Sequence, residues 1–161
     1  MFSKQLKEKL NKYHLLNHPF YKAWNDGKLT REIIKDYAEQ YYQHVKAFPR
    51  YISATHSLCE DLNKRKILLE NLQDEEKDGA DHPKLWKNFA MAMGSDSKKI
   101  EDVKAENFTT ELIDNFFKNG RSSYAEGLAS LYTYERQIPE IAETKIRGLK
   151  NHYGVTSKEG L

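Results

Sequence analysis

Apolar residues recur three and four positions apart along most of the chain, the spacing that lines one face of a helix. Phe2, Leu6, Leu10 and Tyr13 predict a helix over 2–15. Asn17-His18-Pro19 restarts the chain, because proline fits the first helical turn. The stretch FYKAWND then runs to Gly27, a residue suited to a helix stop. Thr30 is the expected N-cap of a long helix with the stripe Ile34, Tyr37, Ala38, Tyr41, Val45 and Phe48. Pro49 should kink or break that helix, with Tyr51 to Leu58 resuming it. Asp61 caps a fourth helix through Glu76, closed by the loop KDGAD. Pro83 opens a fifth, carrying Leu85, Trp86, Phe89 and Met93 and ending at Gly94. Residues 97–102 read as a helical turn, and Thr110 to Phe117 as a helix stopped by Asn119-Gly120. A helix carrying Glu135 follows, and after Pro139 a continuation to Tyr153. No segment alternates as a strand, and no glycine-rich phosphate loop or solenoid repeat is present. The class is all-α, a bundle of antiparallel helices forming a single domain over 1–161.

Glu135 disturbs this pattern. Tyr124, Leu128, Leu131 and Ile138 share its helical stripe, and that stripe is otherwise apolar. A lone ionised carboxylate inside a bundle costs several kcal/mol or becomes neutral, so a partner is required. Candidates lie in QDEEKDGADHP. Glu75 and Glu76 both border the stripe of Leu68, Leu69 and Leu72, and periodicity alone does not choose between them. His82 starts the next helix beside Pro83. Antiparallel packing would bring that carboxylate and imidazole together, facing Glu135. Inward carboxylates and histidines on facing helices are what di-iron and di-manganese bundles need. The spacing from Glu75 to His82 is not the short Glu-x-x-His pattern, so a capping His82 and a Glu135 paired to arginine or tyrosine stay open.

Lys145 is a second polar residue on an apolar stripe, with Ile138, Ile141, Ala142 and Leu149. It either snorkels out or enters a cavity, where desolvation lowers its pKa and frees a nucleophilic amine. His44, with Tyr37 and Tyr41, either lines a pocket or is a hydrogen-bonded core residue.

Composition adds mostly exclusions. The formal net charge of +2 over 161 residues is too small to argue for nucleic acid, and Lys64-Arg65-Lys66 reads as one solvated helix face. Cys59 is the only cysteine, so no internal disulfide or CxxC metal knuckle exists. Next to His56 it has no orienting third group for nucleophilic catalysis, and no GxSxG elbow supports a serine hydrolase. The N-terminus lacks the apolar core of a signal peptide, and no apolar run is long enough for a membrane span. A soluble, cytoplasmic protein is the expectation, with secretion as an effector left open. The ten tyrosines fall mostly at helical spacing, as core or lining residues whose hydroxyls need partners.

Four stretches, HPFYKAWNDGKLT, YAEQYYQHVKAFPRYISATHS, DEEKDGADHPKLWKNF and LYTYERQIPEIAETKIRGL, closely resemble the CADD family (chlamydia protein associating with death domains). That family belongs to the haem-oxygenase-like helical superfamily, with PqqC, the pyrroloquinoline-quinone synthase, and TenA, the thiaminase II. The resemblance implies a helical bundle holding a dinuclear iron or iron/manganese centre. It implies synthesis of para-aminobenzoate for folate, consuming dioxygen and reductant, with the protein's own tyrosine as carbon source and a lysine as amine donor. On this pattern Glu75, His82 and Glu135 match metal ligands, Tyr21 matches the sacrificial tyrosine, and Lys145 the amine-supplying lysine. Family members continue past the position of GVTSKEGL through helices bearing a His-x-x-x-Asp-x-x-His ligand set. Against that pattern the chain is C-terminally incomplete, with half the expected ligands. Its open face would favour a homodimer. Two other readings accompany this one. A PqqC-like oxidase without metal would bind a quinone precursor among the tyrosines and His44. A helical module would bind a death-domain-type protein partner.

Overall fold

The computed structural model describes residues 2–79, 81–157 and 160–161, with side chains from residue 5 onward. The side chain of Phe2 and the whole of Ala80, in the KDGAD loop, lie outside the described residues. The helices are α1 (Phe2–Asn11), α2 (Pro19–Asn25), α3 (Arg31–Ser57), α4 (Leu62–Glu75), α5 (His82–Ala92), α6 (Ser97–Asp102), α7 (Asn107–Ser122), α8 (Tyr124–Glu135) and α9 (Ile138–His152), with a 3-10 turn at Leu15–Asn17. No strand occurs among the described residues. None of these helices is long and apolar enough to cross a membrane.

Side-chain caps set the helix starts. Thr30 Oγ1 accepts from the Ile33 amide at 3.2 Å. Asp61 Oδ1 accepts from Asn63 and Lys64 at 2.9 and 3.1 Å, and Asp81 Oδ1 from Lys84 at 2.8 Å. Each cap stabilises its helix by about 1 kcal/mol. Asp81, not Pro83, opens α5, which places His82 in the first turn.

Four expectations need correction. α1 stops at Asn11, because Tyr13 is exposed and His14 Nδ1 caps the 3-10 turn by accepting from the Leu16 amide. α3 passes through Pro49 without ending. The missing N–H leaves the Val45 carbonyl without its intrahelical donor, and the buried packing around Pro49 offsets that cost. α7 runs past Asn119-Gly120 to Ser122 and ends only where Ser123 turns extended (φ −156°, ψ 160°). Leu128, finally, is exposed, while Gly127 and Leu131 are buried. The inward face of α8 keeps Leu131 of the expected stripe but takes Gly127 in place of Leu128.

α3 is the central rod, packed by α4, α5, α7 and α8. One core layer gathers Ile34, Ala38 and Tyr42 of α3 with Trp24, Phe89 and Leu149. A second gathers Ala47, Phe48, Tyr51 and Ile52 with Leu68, Phe116 and Leu131. Two glycine seams allow the close crossings. A Cβ on Gly127 would lie 2.5 Å from Thr55 Oγ1 and 3.1 Å from Gly120 Cα, so α3, α7 and α8 meet there at the distance only glycine permits. A Cβ on Gly148 would lie 2.5 Å from Trp24 Nε1. That seam locks α9 onto α2, and Trp24 Nε1 donates to the Lys145 carbonyl at 3.2 Å. The backbone of Lys145 is thus fixed before its side chain is considered.

Candidate functional site

Between α3, α4, α5, α8 and α9 lies a cavity of about 580 Å³, bordered by Tyr41, Trp86, Phe89, Tyr134, Ile138 and Lys145, and by Asn71, Glu75, His82 and Glu135. The volume is that of an ordinary small-molecule site. Its walls are mainly apolar, with a basic end and an acidic end.

The basic end is Lys145. Buried Ile141, Thr144, Gly148 and Leu149 set the inward face of α9, and Lys145, one residue after Thr144, leans from the edge of that face into the cavity. Its Nζ donates to the Tyr37 hydroxyl at 2.7 Å. The rings of Trp86, Tyr41, Tyr37 and Tyr21 surround it, with centroids 4.8, 5.0, 5.1 and 5.6 Å away. Ring faces favour the ammonium form, but burial favours the neutral amine by more, and the pKa falls to about 7. Near neutral pH the amine is therefore unprotonated and nucleophilic far more often than an exposed lysine.

Phenols fill the space around this amine. Tyr21 and Tyr37 place their hydroxyls 3.5 Å apart, so Tyr37 stands between Tyr21 and Lys145. Tyr41 and Tyr134 are hydrogen-bonded to each other. Burial raises the pKa of all four, which keeps each a neutral phenol. His44 does not border the cavity. It is fully buried beneath this layer, its ring 5.0 Å from Tyr134 and 5.3 Å from Tyr41, with Nδ1 3.5 Å from the Tyr51 hydroxyl. Among the described residues its Nε2 has no partner, and burial lowers its pKa to about 4, so the imidazole is neutral. The core alternative for His44 is the one the structure adopts.

The acidic end resolves the choice between Glu75 and Glu76. Glu75 is buried, whereas Glu76 is exposed at the C-cap of α4. Glu75 Oε2 and His82 Nδ1 lie 2.7 Å apart, and this contact raises the imidazole pKa against the opposing effect of burial. Glu135 Oε1 accepts from Asn71 Nδ2 at 3.0 Å. Asn71 sits one turn before Glu75, on the same face of α4. Burial first, then the charge of Glu75, raises the Glu135 pKa, while the Asn71 bond opposes the rise. Glu75, His82 and Glu135 all border the cavity.

Two carboxylates and an imidazole are donors that divalent iron or manganese accepts. Yet among the described residues no three His, Cys, Asp or Glu side chains are grouped closely enough to hold a metal ion. Glu75 is engaged by His82, and Glu135 by Asn71. The residues present do not make up the dinuclear centre that the resemblance implies.

Sequence reasoning missed Tyr134, Asn71 and Trp86 as site residues. Tyr134 lies three residues after buried Leu131, a helical spacing that puts it on the same inward side of α8. Asn71 left no signal, since a lone asparagine on an exposed-looking helix is common.

Comparison with known proteins follows the same lines. The sequence profile of the TENA/THI-4/PQQC family matches residues 3–158. A 4-aminobenzoate synthase of Chlamydia muridarum is 44% identical over 160 residues, covering 98% of this chain and 67% of that protein. One of Nitrosomonas europaea is 41% identical over 165 residues, covering 96% and 67%. A pyrroloquinoline-quinone synthase of Xanthomonas euvesicatoria is 25% identical over 150 residues, covering 89% and 59%. The chain spans about two thirds of the length of the 4-aminobenzoate synthases it matches. With an all-helical bundle and a profile match over nearly its whole length, the chain belongs to the TENA/THI-4/PQQC family.

Proposed function

We propose that this chain carries out chemistry of the 4-aminobenzoate synthase kind, with Lys145 as the nitrogen source and Tyr21 as the source of the ring. The relatives' names and identities support the reading, and one structural observation carries it: an amine with a pKa of about 7 enclosed by tyrosine rings. Elementary chemistry agrees. Tyrosine already bears its hydroxyl and its Cβ para to each other. Replacing the hydroxyl, which leaves as water, by the Lys145 nitrogen, with the lysine Nζ–Cε bond broken, and oxidising Cβ to a carboxylate as the Cα–Cβ bond is cleaved, gives 4-aminobenzoate. That net oxidation calls for dioxygen and a reductant.

The chain's own residues have distinct parts in this scheme. Lys145 presents a neutral amine. Tyr37, hydrogen-bonded to Nζ and 3.5 Å from the Tyr21 hydroxyl, orients both groups and can hold a proton passed between them. Trp86 and Tyr41 exclude water from the amine. Because the acidic end offers only a partial donor set, the proposal is confined to these residues.

The test uses the full chain grown with isotopically labelled lysine and incubated with reductant and air, with and without added iron(II) or manganese(II). Labelled 4-aminobenzoate, released in step with mass loss at Tyr21, is the expected result. Release without the label, loss at Tyr37 or Tyr41 in place of Tyr21, or no release refutes the assignment.

A further inference from the structure

We propose that the cavity beside Lys145 is a covalent capture site for planar aromatic aldehydes, which Lys145 binds as an imine. The inference rests on the reading of Lys145 as a reactive amine and adds a ligand class that enters from outside.

Three observations converge on it. First, the amine is buried yet reachable, since Lys145 borders a cavity of about 580 Å³. Burial is the cause of its lowered pKa, with no carboxylate partner offsetting it among the described residues. A lysine held in this way is a usual Schiff-base nucleophile. Second, the wall beside the amine is aromatic. Trp86 and Tyr41 lie with ring centroids 4.7 Å apart and tilted at 43°, and Phe89 meets Trp86 edge-on at 5.1 Å. A ring entering this cavity gains stacking that an alkyl chain does not. Third, a proton carrier is in place. The Tyr37 hydroxyl lies 2.7 Å from Nζ and stays protonated because burial raises its pKa.

The Nζ lone pair attacks the carbonyl carbon, and the C=O π pair moves to oxygen. Tyr37 passes the excess proton from nitrogen to that oxygen, giving a carbinolamine. Loss of water then leaves the C=N bond, with no oxidant, reductant or metal consumed.

The probe is 4-hydroxybenzaldehyde, incubated with the full chain at pH 7 and trapped by sodium cyanoborohydride, whose hydride reduces the imine to a stable amine. Intact mass and peptide mapping read the product. We expect one hydroxybenzyl group per chain, on Lys145, exceeding any surface lysine by roughly tenfold or more, because ordinary lysines are almost wholly protonated at that pH. Lys145→Met, an apolar near-isostere, and Lys145→Arg, which keeps the charge, should both lose the adduct. Lys150→Met, on the exposed side of α9, should keep it. Adducts spread over surface lysines without preference, or undiminished labelling of Lys145→Met, would overturn the site. Equal labelling of Lys145 by butanal would overturn the aromatic preference. Trapping needs neither metal nor oxygen. A chain that forms the imine but releases no aminobenzoate sinks only the proposed function, and the converse sinks only this inference.

Discussion

Removing the Lys145 amine should make the protein more stable at neutral pH and flatten the pH dependence of its stability. An ordinary lysine gains a partner on folding and has its pKa raised. Lys145 is the reverse: its folded pKa is about 7 against 10.5 for the free side chain. Between those values the unfolded chain carries a proton that the folded chain lacks. Stability therefore rises with pH across this window, by about 1.4 kcal/mol per unit, and is lowest below pH 7, where the charge must be buried. Over two pH units, from 7.5 to 9.5, the gain attributable to this residue is about 2.5 kcal/mol. The assay is urea unfolding of the wild type and of Lys145→Met at several pH values in that range. Tyrosine titration affects both proteins alike and cancels in the difference. The stability gap should favour Lys145→Met at pH 7.5 and shrink steadily toward pH 9.5. Parallel curves would refute the claim that the amine is desolvated, and with it the reason to regard Lys145 as a nucleophile.

Further outcomes follow from the packing. Gly148→Ala places a methyl against Trp24 Nε1. The overlap should outweigh the gain in helix propensity of about 1 kcal/mol, giving a net loss of about 1–2 kcal/mol in chemical denaturation. Gly127→Ala should cost about 1–3 kcal/mol through overlap with Thr55. Adding Thr55→Ala should recover part of that, and a double-mutant cycle measures the coupling. Glu75→Gln removes the partner that raises His82, so an NMR titration of the His82 imidazole should show its pKa shifted down in the variant.

The helices were legible because apolar spacing and side-chain caps act locally. Thr30, Asp61 and the short helix at 97–102 need no tertiary information. At Pro49 the break that was one of two expectations does not occur, and Gly120 was misread as a stop, for the opposite reason. Each normally ends a helix, and each is tolerated here because of what lies across from it: dense packing around Pro49, and the Thr55 crossing for Gly120. In the site, Lys145, Tyr21 and Glu135 stood out as polar interruptions of greasy stripes, or through resemblance. Choosing Glu75 over Glu76 required the end of α4, a matter of one residue of helix rotation. His44 shows the limit on the other side. A buried histidine obeys no sequence pattern, and only the surrounding rings of Tyr41, Phe48, Tyr51, Phe116 and Tyr134 reveal it as core.

If Lys145 gives up its amine as proposed, the bond from Trp24 to the Lys145 carbonyl gains a further meaning. The tie between α9 and α2 is made by the main chain of that residue and by the bare Gly148 beside it. The reactive tip takes no part in it. A molecule that had given up its amine would keep this joint, so the spent form should persist in the cell as a folded, inert shell.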